Sequence, residues 1–364
     1  MTAPNLLLLA LFGLLVALPV LAYVARRGGD VHARLAWVTA FLALDLIMFG
    51  GFTRLTDSGL GCPDWPGCYG HSNPLSAAEH IRAAETAMPS GPVTRIKAWI
   101  EMLHRYFAMG VGLLIIVLMV QAWLRARRDP SRSPWLATVI FLAVCVQGAF
   151  GAFTVTMKLT PAIVTLHLLG GMLLLALLTG LALREGPRPA VGAEAVALRG
   201  HGLLAAVVLV LQIALGGWVS TNYAVLACPD FPLCHGHWWP PEMDFHHAYT
   251  LWRPLGQTAD GDLIPFQSLV AIHWVHRNFA YLVLAVLGTL AWRARSVPGL
   301  ARWARALAGL ILLQFLTGLS NVMLQWPLPV AVLHNGGAAL LVMMLVVLHF
   351  RVGVGARHNP AQTG

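Results

Sequence analysis

Cys62-Pro63-Asp64-Trp65-Pro66-Gly67-Cys68 returns 166 residues later as Cys228-Pro229-Asp230-Phe231-Pro232-Leu233-Cys234. Reading outward from this stretch, Gly50-Gly51 returns as Gly216-Gly217 at the same spacing. His104-Arg105 returns as His276-Arg277 after 172 residues, and His167 as His334 after 167. Four landmarks in one order at nearly one spacing mark a duplicated unit.

Each copy is built for lipid. Apolar residues make up 58% of the 364-residue chain and charged residues only 11%, against roughly 25% charged in an average globular protein. So few charges cannot clothe a water-soluble surface, and the same figures exclude a disordered chain, a disulfide-dense secreted domain and a coiled coil. A hydrocarbon core about 30 Å thick needs roughly 20 apolar residues of helix. Nine stretches qualify: 5–25, 34–54, 98–124, 135–157, 161–184, 199–221, 268–294, 302–324 and 328–351. The expected fold is therefore an all-α polytopic membrane protein, two tandem four-helix bundles plus one extra N-terminal helix.

Charge gives the expected topology. The net charge is +9, and 16 of 24 Lys and Arg fall in five short segments: 26–34, 125–132, 184–199, 293–305 and 351–357. Each adjoins the end of an apolar run, as cytoplasmic loops do under the positive-inside rule. The basicity is thus topological, and no nucleic-acid partner is expected. The N-terminus then lies outside and the C-terminus in the cytoplasm, with two long external loops, 55–97 and 222–267. Met1-Thr2-Ala3-Pro4-Asn5 carries no basic side chain and Arg26-Arg27 follows the apolar run, so the first span reads as a retained helix, not a cleaved signal. The expected divisions are 1–33 (extra helix and basic loop), 34–184 and 199–351 (the two four-helix halves), 185–198 (linker) and 352–364 (cytoplasmic tail).

A histidine inside the bilayer is expensive unless paired. A helix-packing hydrogen bond would explain one; four at repeat-related positions call for more. Within each half, the second and fourth helices run in the same direction. Their histidines sit six to eight residues past the outer end, about 9–12 Å deep at 1.5 Å per residue. His104 and His167 share one depth, His276 and His334 another. Two imidazoles at one level on facing helices suit axial ligation of a haem iron. Gly170 and Gly171 beyond His167, and Gly336 and Gly337 beyond His334, leave room for a flat ring or for close helix packing. Arg105 and Arg277 could pair with haem propionates or snorkel to the interface. Zinc fits less well, because structural zinc recruits four closely spaced ligands.

The halves differ at one position. Glu101-Met102-Leu103-His104-Arg105 corresponds to His273-Trp274-Val275-His276-Arg277. Glu101 lies on the same face as His104, so its carboxyl is expected towards that ring, where it could exchange protons or stabilise positive charge on a substrate carbon; capping the helix start is the plainer alternative. Unequal acids beside equivalent porphyrin sites point to substrate oxidation in the first half and electron transfer in the second. Asp45 is a second intramembrane acid without an assigned role. Cys62/Cys68 and Cys228/Cys234 read as two local disulfides on the oxidising side, with a redox or ligand-handling role still open. Cys145 reads as a packing residue. His71, His80, His235, His237, His246 and His247 read chiefly as solvated loop residues.

Gly50-Gly51-Phe52-Thr53-Arg54-Leu55-Thr56-Asp57-Ser58-Gly59-Leu60, then Cys62-Pro63-Asp64-Trp65-Pro66, then Glu101-Met102-Leu103-His104-Arg105, resemble the haem A synthase family over about residues 34–351. The resemblance implies eight helices in two four-helix halves, and conversion of haem O to haem A by oxidising a ring methyl to a formyl group in successive hydroxylations. It implies His276 and His334 as axial ligands of a haem b cofactor. His104 and His167 would belong to the haem O site, with Glu101 as its essential acid. Cys62/Cys68 match the external pair of the substrate half, and Cys228/Cys234 the structural pair of the other. It further implies a bacterial inner-membrane location, an electron acceptor or donor in the membrane, and haem O synthase and cytochrome oxidase assembly factors as partners; it leaves homo-oligomerisation open. The extra N-terminal helix departs from the family pattern. Two rivals stand beside this reading: a di-haem cytochrome b that passes electrons, which leaves Glu101 unexplained, and a haem carrier or chaperone, for which Trp238-Trp239 is the only hint.

Overall fold

The computed structural model describes residues 2–26, 29–186 and 190–357. Residues 187–189 of the expected linker and 358–364 of the expected tail lie outside them. The described residues form eleven α-helices: α1 (Ala3–Arg26), α2 (Val31–Leu55), α3 (Ala78–Ala87), α4 (Arg95–Arg128), α5 (Trp135–Thr156), α6 (Pro161–Glu185), α7 (Arg199–Thr221), α8 (Phe245–Ala248), α9 (Phe266–Ala294), α10 (Ala301–Met323) and α11 (Leu328–Arg357). Short 3-10 turns cover Ala193–Leu198 and Ala224–Leu226. Nine helices among the described residues are long and apolar enough to cross a membrane, so the chain is a multi-pass membrane protein. α4 and α11 run past the expected apolar spans into their basic ends. Hydropathy marks where apolar residues stop, whereas the helical hydrogen-bond ladder of α4 continues through Arg125-Ala126-Arg127-Arg128, all good helix formers.

The helix starts follow local chemistry. Asp30 caps α2 by accepting from the N–H groups of His32 (2.8 Å) and Ala33 (3.3 Å), and Thr94 caps α4 through the N–H of Lys97 at 3.2 Å. Pro161 opens α6, where its missing N–H costs nothing. Exposed leucines such as Leu7, Leu15, Leu142 and Leu203 belong in hydrocarbon, since lipid asks only that backbone polar groups be satisfied within the helices.

The chain divides into two compact units, Met1–Glu185 and Gly186–Gly364. In the first, α2 packs on α4 and α6, and α5 on α4 and α6. α1 packs chiefly on α4. A Cβ on Gly13 would lie 2.9 Å from that of Met109, and one on Gly110 would lie 2.5 Å from Val16, so each helix brings a glycine up against a side chain of the other. Phe12 stacks on Tyr106 at 4.5 Å between ring centroids, and the Asn5 amide donates to Gly70 O at 3.0 Å. At the basic end the Arg125 guanidinium grips both Asp30 oxygens at 2.8 Å. This contact is the chief reason the Asp30 carboxyl is held down at about 2.

In the second unit, α7 packs on α9 and α11, and α10 on α9 and α11. Trp218 at the end of α7 donates its indole N–H to Ala248 O at 2.9 Å. Arg253 reaches back to the side-chain oxygen of Asn222. Both contacts fix the long loop over the helix ends.

Gly61 sets how closely the first long loop lies on α4. A Cβ there would run into the backbone of Lys97 and Ala98, atoms that cannot rotate away. Gly61→Ala is therefore expected to lift the loop and cost about 1–3 kcal/mol, as overpacking does. A thermal scan in detergent reads this as a lowered Tm; an unchanged Tm would contradict the contact.

Candidate functional site

Each half presents one loop and two histidine-bearing helices, and the loops are near copies. The Cys62–Cys68 and Cys228–Cys234 disulfides each have Cα atoms 4.8 Å apart. The Asp64 carboxylate accepts from the N–H groups of Tyr69 (2.6 Å) and Gly70 (2.7 Å), and Asp230 from those of His235 (2.7 Å) and Gly236 (2.8 Å). Between Cys68 and His71, and between Cys234 and His237, the backbone closes a two-residue turn. Both central residues have positive φ: 49° and 75° in the first, 52° and 75° in the second. That is the hairpin turn in which Gly is favoured.

An arginine ties each loop to its helix. Arg105 Nη1 donates to the carbonyls of Asp64 (2.9 Å) and Gly67 (2.5 Å). Arg277 Nη1 donates to those of Asp230 and Leu233, both at 2.7 Å. These guanidiniums, expected at propionates or the interface, are engaged by loop carbonyls.

The halves part company one turn earlier. Glu101 is buried; its Oε1 accepts from Arg105 Nη2 at 2.5 Å and its Oε2 from the N–H of Cys62 at 2.7 Å. Its place inside α4, with Thr94 as the cap, removes the capping explanation. In the other half His273 Nδ1 accepts from the N–H of Cys228 at 3.3 Å, and Arg277 Nη2 donates to Cys228 O at 2.8 Å. One fold therefore holds a buried ion pair in the first half and a neutral contact in the second.

The four repeat-related imidazoles each rest against a glycine of a neighbouring helix. A Cβ on Gly50 would stand 3.1 Å from His104 Nε2, and on Gly151 3.3 Å from His167 Cε1. On Gly216 it would stand 2.9 Å from His276 Cε1, and on Gly318 3.1 Å from His334 Cε1. Larger residues would push each ring off its seat. Gln147 donates to His167 O at 2.8 Å and Gln212 to His276 O at 3.2 Å. His167 Nδ1 and His276 Nδ1 are buried without a hydrogen-bond partner among the described residues, which costs about 1–3 kcal/mol for each orphaned group.

Imidazoles seated on glycine, two of them with an unpartnered ring nitrogen, fit an iron porphyrin, which needs two axial nitrogens and no further protein ligand. No group of three or more His, Cys, Asp or Glu comes together for a metal ion among the described residues. Gly170 and Gly337 serve close helix packing, the second of the two expectations: a Cβ on either would collide with the amide oxygen of Gln147 or Gln314 on the neighbouring helix, so glutamines fill that room. Sequence reasoning missed Gly151, Gly318 and these glutamines. Their signal was available, since Gln147 and Gly151 recur as Gln314 and Gly318 after 167 residues, the spacing of His167 and His334.

Among the loop histidines, His235 bonds Ala227 O at 2.8 Å and His247 the carboxylate of Asp244 at 2.6 Å. His71 and His80 lie 6.0 Å apart by ring centroid. Cys145, expected inside the packing, is exposed on α5, as is Asp45 on α2.

Comparison with known proteins bears on this arrangement. The profile of a family described as cytochrome oxidase assembly protein matches residues 33–346, which leaves α1 ahead of the match. A protein of Shewanella oneidensis named heme A synthase is 38% identical over 87% of this chain and 96% of its own length. Similarly named proteins of Methylobacterium sp. (33% identical, 92% of this chain, 95% of the relative) and Sphingopyxis alaskensis (30%, 91% and 94%) align as fully. The chain belongs to the cytochrome oxidase assembly protein family, whose match spans both disulfide loops and all four repeat-related histidines.

Proposed function

We propose that this chain is a haem A synthase. It oxidises a ring methyl of haem O, bound at His104 and His167, to a formyl group, and holds haem b between His276 and His334. The carrying observation is the pairing of four glycine-backed imidazoles with unequal partners one turn away: an Arg105-bound carboxylate in one half, a neutral His273 in the other. The relatives named heme A synthase support the same reading.

Converting CH3 to CHO takes four electrons from the carbon in two two-electron steps: each replaces a C–H hydrogen with a hydroxyl whose oxygen comes from water, releasing two electrons and two protons, first to an alcohol and then to a gem-diol that loses water. Haem b, when bound, supplies one-electron chemistry that passes these electrons to an acceptor in the membrane. The chain's own residues do the rest. Arg105 and the Cys62 N–H fix the Glu101 carboxylate as a charged acceptor, whose remaining lone pairs can take a proton from the reacting carbon or stabilise positive charge there. The apolar helices accommodate the long farnesyl tail of haem O.

Residues 34–184 form the substrate half and 199–351 the haem b half. Basic loops face the cytoplasm of a bacterial cell, the N-terminus and both disulfide loops face outward, and the C-terminus is cytoplasmic. Haem O synthase upstream and oxidase assembly factors downstream are the fitting partners.

The test is purified protein supplied with haem O and an electron acceptor, with the pigments extracted and separated. Haem A is the expected product. Haem O recovered unchanged would favour a carrier, and reversible reduction without conversion an electron relay.

A further inference from the structure

We propose that Thr317 is a positioning residue that locks His334 into the tautomer a haem b ligand needs, and so helps the second half retain its porphyrin while the first half can release one. The inference rests on the haem b reading above.

With the Gln314 amide nitrogen on His334, one tautomer satisfies the hydrogen bonds around that ring. Gln314 Nε2, an amide nitrogen that can only donate, faces His334 Nε2 at 3.4 Å. His334 Nε2 must therefore carry the lone pair, and Nδ1 the hydrogen. Nδ1 stands 3.0 Å from Thr317 Oγ1. The hydroxyl hydrogen of Thr317 is directed at backbone carbonyls of its own helix, Leu313 O at 2.9 Å and Gln314 O at 3.1 Å. Its oxygen is thus free to accept from Nδ1–H. The chain of bonds runs His334 Nδ1–H to Thr317 O–H to the α10 backbone, with Thr317 buried and His334 half-buried. Nε2 keeps its lone pair, which the Gln314 amide holds in this structure and a haem iron would take in its place. A ligating histidine whose other nitrogen donates to a fixed acceptor is held in orientation and made more basic.

The first half lacks this device. Thr317 corresponds to Phe150 at the 167-residue spacing that also relates Gln147 to Gln314 and Gly151 to Gly318. A phenyl ring offers no acceptor, and His167 Nδ1 is buried without a partner among the described residues. The amide of Gln147 reaches the backbone carbonyl of His167 and leaves its ring untouched. His276 Nδ1 in the second half is orphaned likewise among the described residues, so the contrast between the halves lies between His167 and His334, and an untethered His167 suits a site whose porphyrin arrives as substrate and must leave as product.

The experiment uses the full-length protein carrying its haem, as wild type and as Thr317→Val, Thr317→Ala and Thr317→Ser. Two readouts are taken: the rate of haem b transfer to excess apomyoglobin, and the midpoint potential of haem b by optical titration. Loss of an outer-shell partner commonly costs 10- to 100-fold in affinity. Val and Ala are expected to speed haem b transfer about tenfold or more and to move the potential upward, because a less basic imidazole favours ferric iron less. Ser should stay near wild type. Wild-type transfer rate and potential in either folded Val or Ala variant would overturn the proposal. His334→Ala, run alongside, separates the two levels. If it keeps low-spin haem b, the ligand reading fails; if it loses haem b while Val or Ala behaves as wild type, only the Thr317 role fails.

Discussion

His276→Ala and His334→Ala are each expected to remove the low-spin haem b spectrum from the purified protein, whereas His104→Ala should leave that spectrum largely in place and impair turnover. The two rings of the second half lie on α9 and α11, seated on Gly216 and Gly318 of α7 and α10. Truncating one imidazole takes away one of two strong-field axial nitrogens, so the iron left behind becomes five-coordinate and high-spin or is lost. The signature is disappearance of the sharp α-band of reduced haem b, with haem content by pyridine haemochrome falling from about one per chain in the same experiment. The Gly318→Leu variant should mimic this more weakly, because a Cβ at that position already stands 3.1 Å from His334. Equal loss of tightly held haem from His104→Ala and His334→Ala would break the division between a substrate half and a cofactor half.

Glu101→Ala is expected to lower conversion of haem O by 100-fold or more while haem b stays bound. Positioned acid–base groups commonly contribute 10²–10⁴-fold. The carboxylate also pairs with Arg105 and receives the Cys62 N–H, so the variant carries a structural cost as well: removing one partner of a buried ion pair costs about 3–5 kcal/mol. Glu101→Gln separates the two effects. Its amide oxygen can still accept the Cys62 N–H at similar length, keeping the loop on α4, but it brings no charge and no basic site. If catalysis needs the carboxylate, Gln is as inactive as Ala although its Tm lies nearer wild type. If Glu101 only holds the loop, Gln restores turnover with stability. A rate within a few fold of wild type in both variants would remove Glu101 from the chemistry.

The periodic features of this molecule were legible in its sequence, and the reciprocal ones were not. Long apolar runs with basic flanks specify helices whatever surrounds them, so the nine spans emerged within a few residues of their structural limits. The duplicated loop and its histidines followed from simple self-comparison. Gly50 and Gly216 stood out only as landmarks; that each seats an imidazole depends on a helix contact no local pattern encodes. Gly170 and Gly337 show the same limit from the other side. Their place three residues beyond a histidine gives the helix face, but not that Gln147 and Gln314 fill the space in front of it. Arg105 and Arg277 bond to carbonyls some 40 residues away in the chain, a return path that hydropathy does not see. Glu101 was singled out by the mismatch between halves, while its orientation towards Arg105 and Cys62 needed the folded loop. Cys145 sits on an exposed face of α5 because a thiol is apolar enough for lipid.

The most direct measurement is the visible spectrum and extracted pigment of the full-length protein purified from haem-replete cells. Two porphyrin sites, one resident and one exchanging, predict a Soret band with one low-spin haem b per chain and a sub-stoichiometric mixture of haem O and haem A. A folded preparation that shows no absorbance in the Soret region would contradict the account at its root.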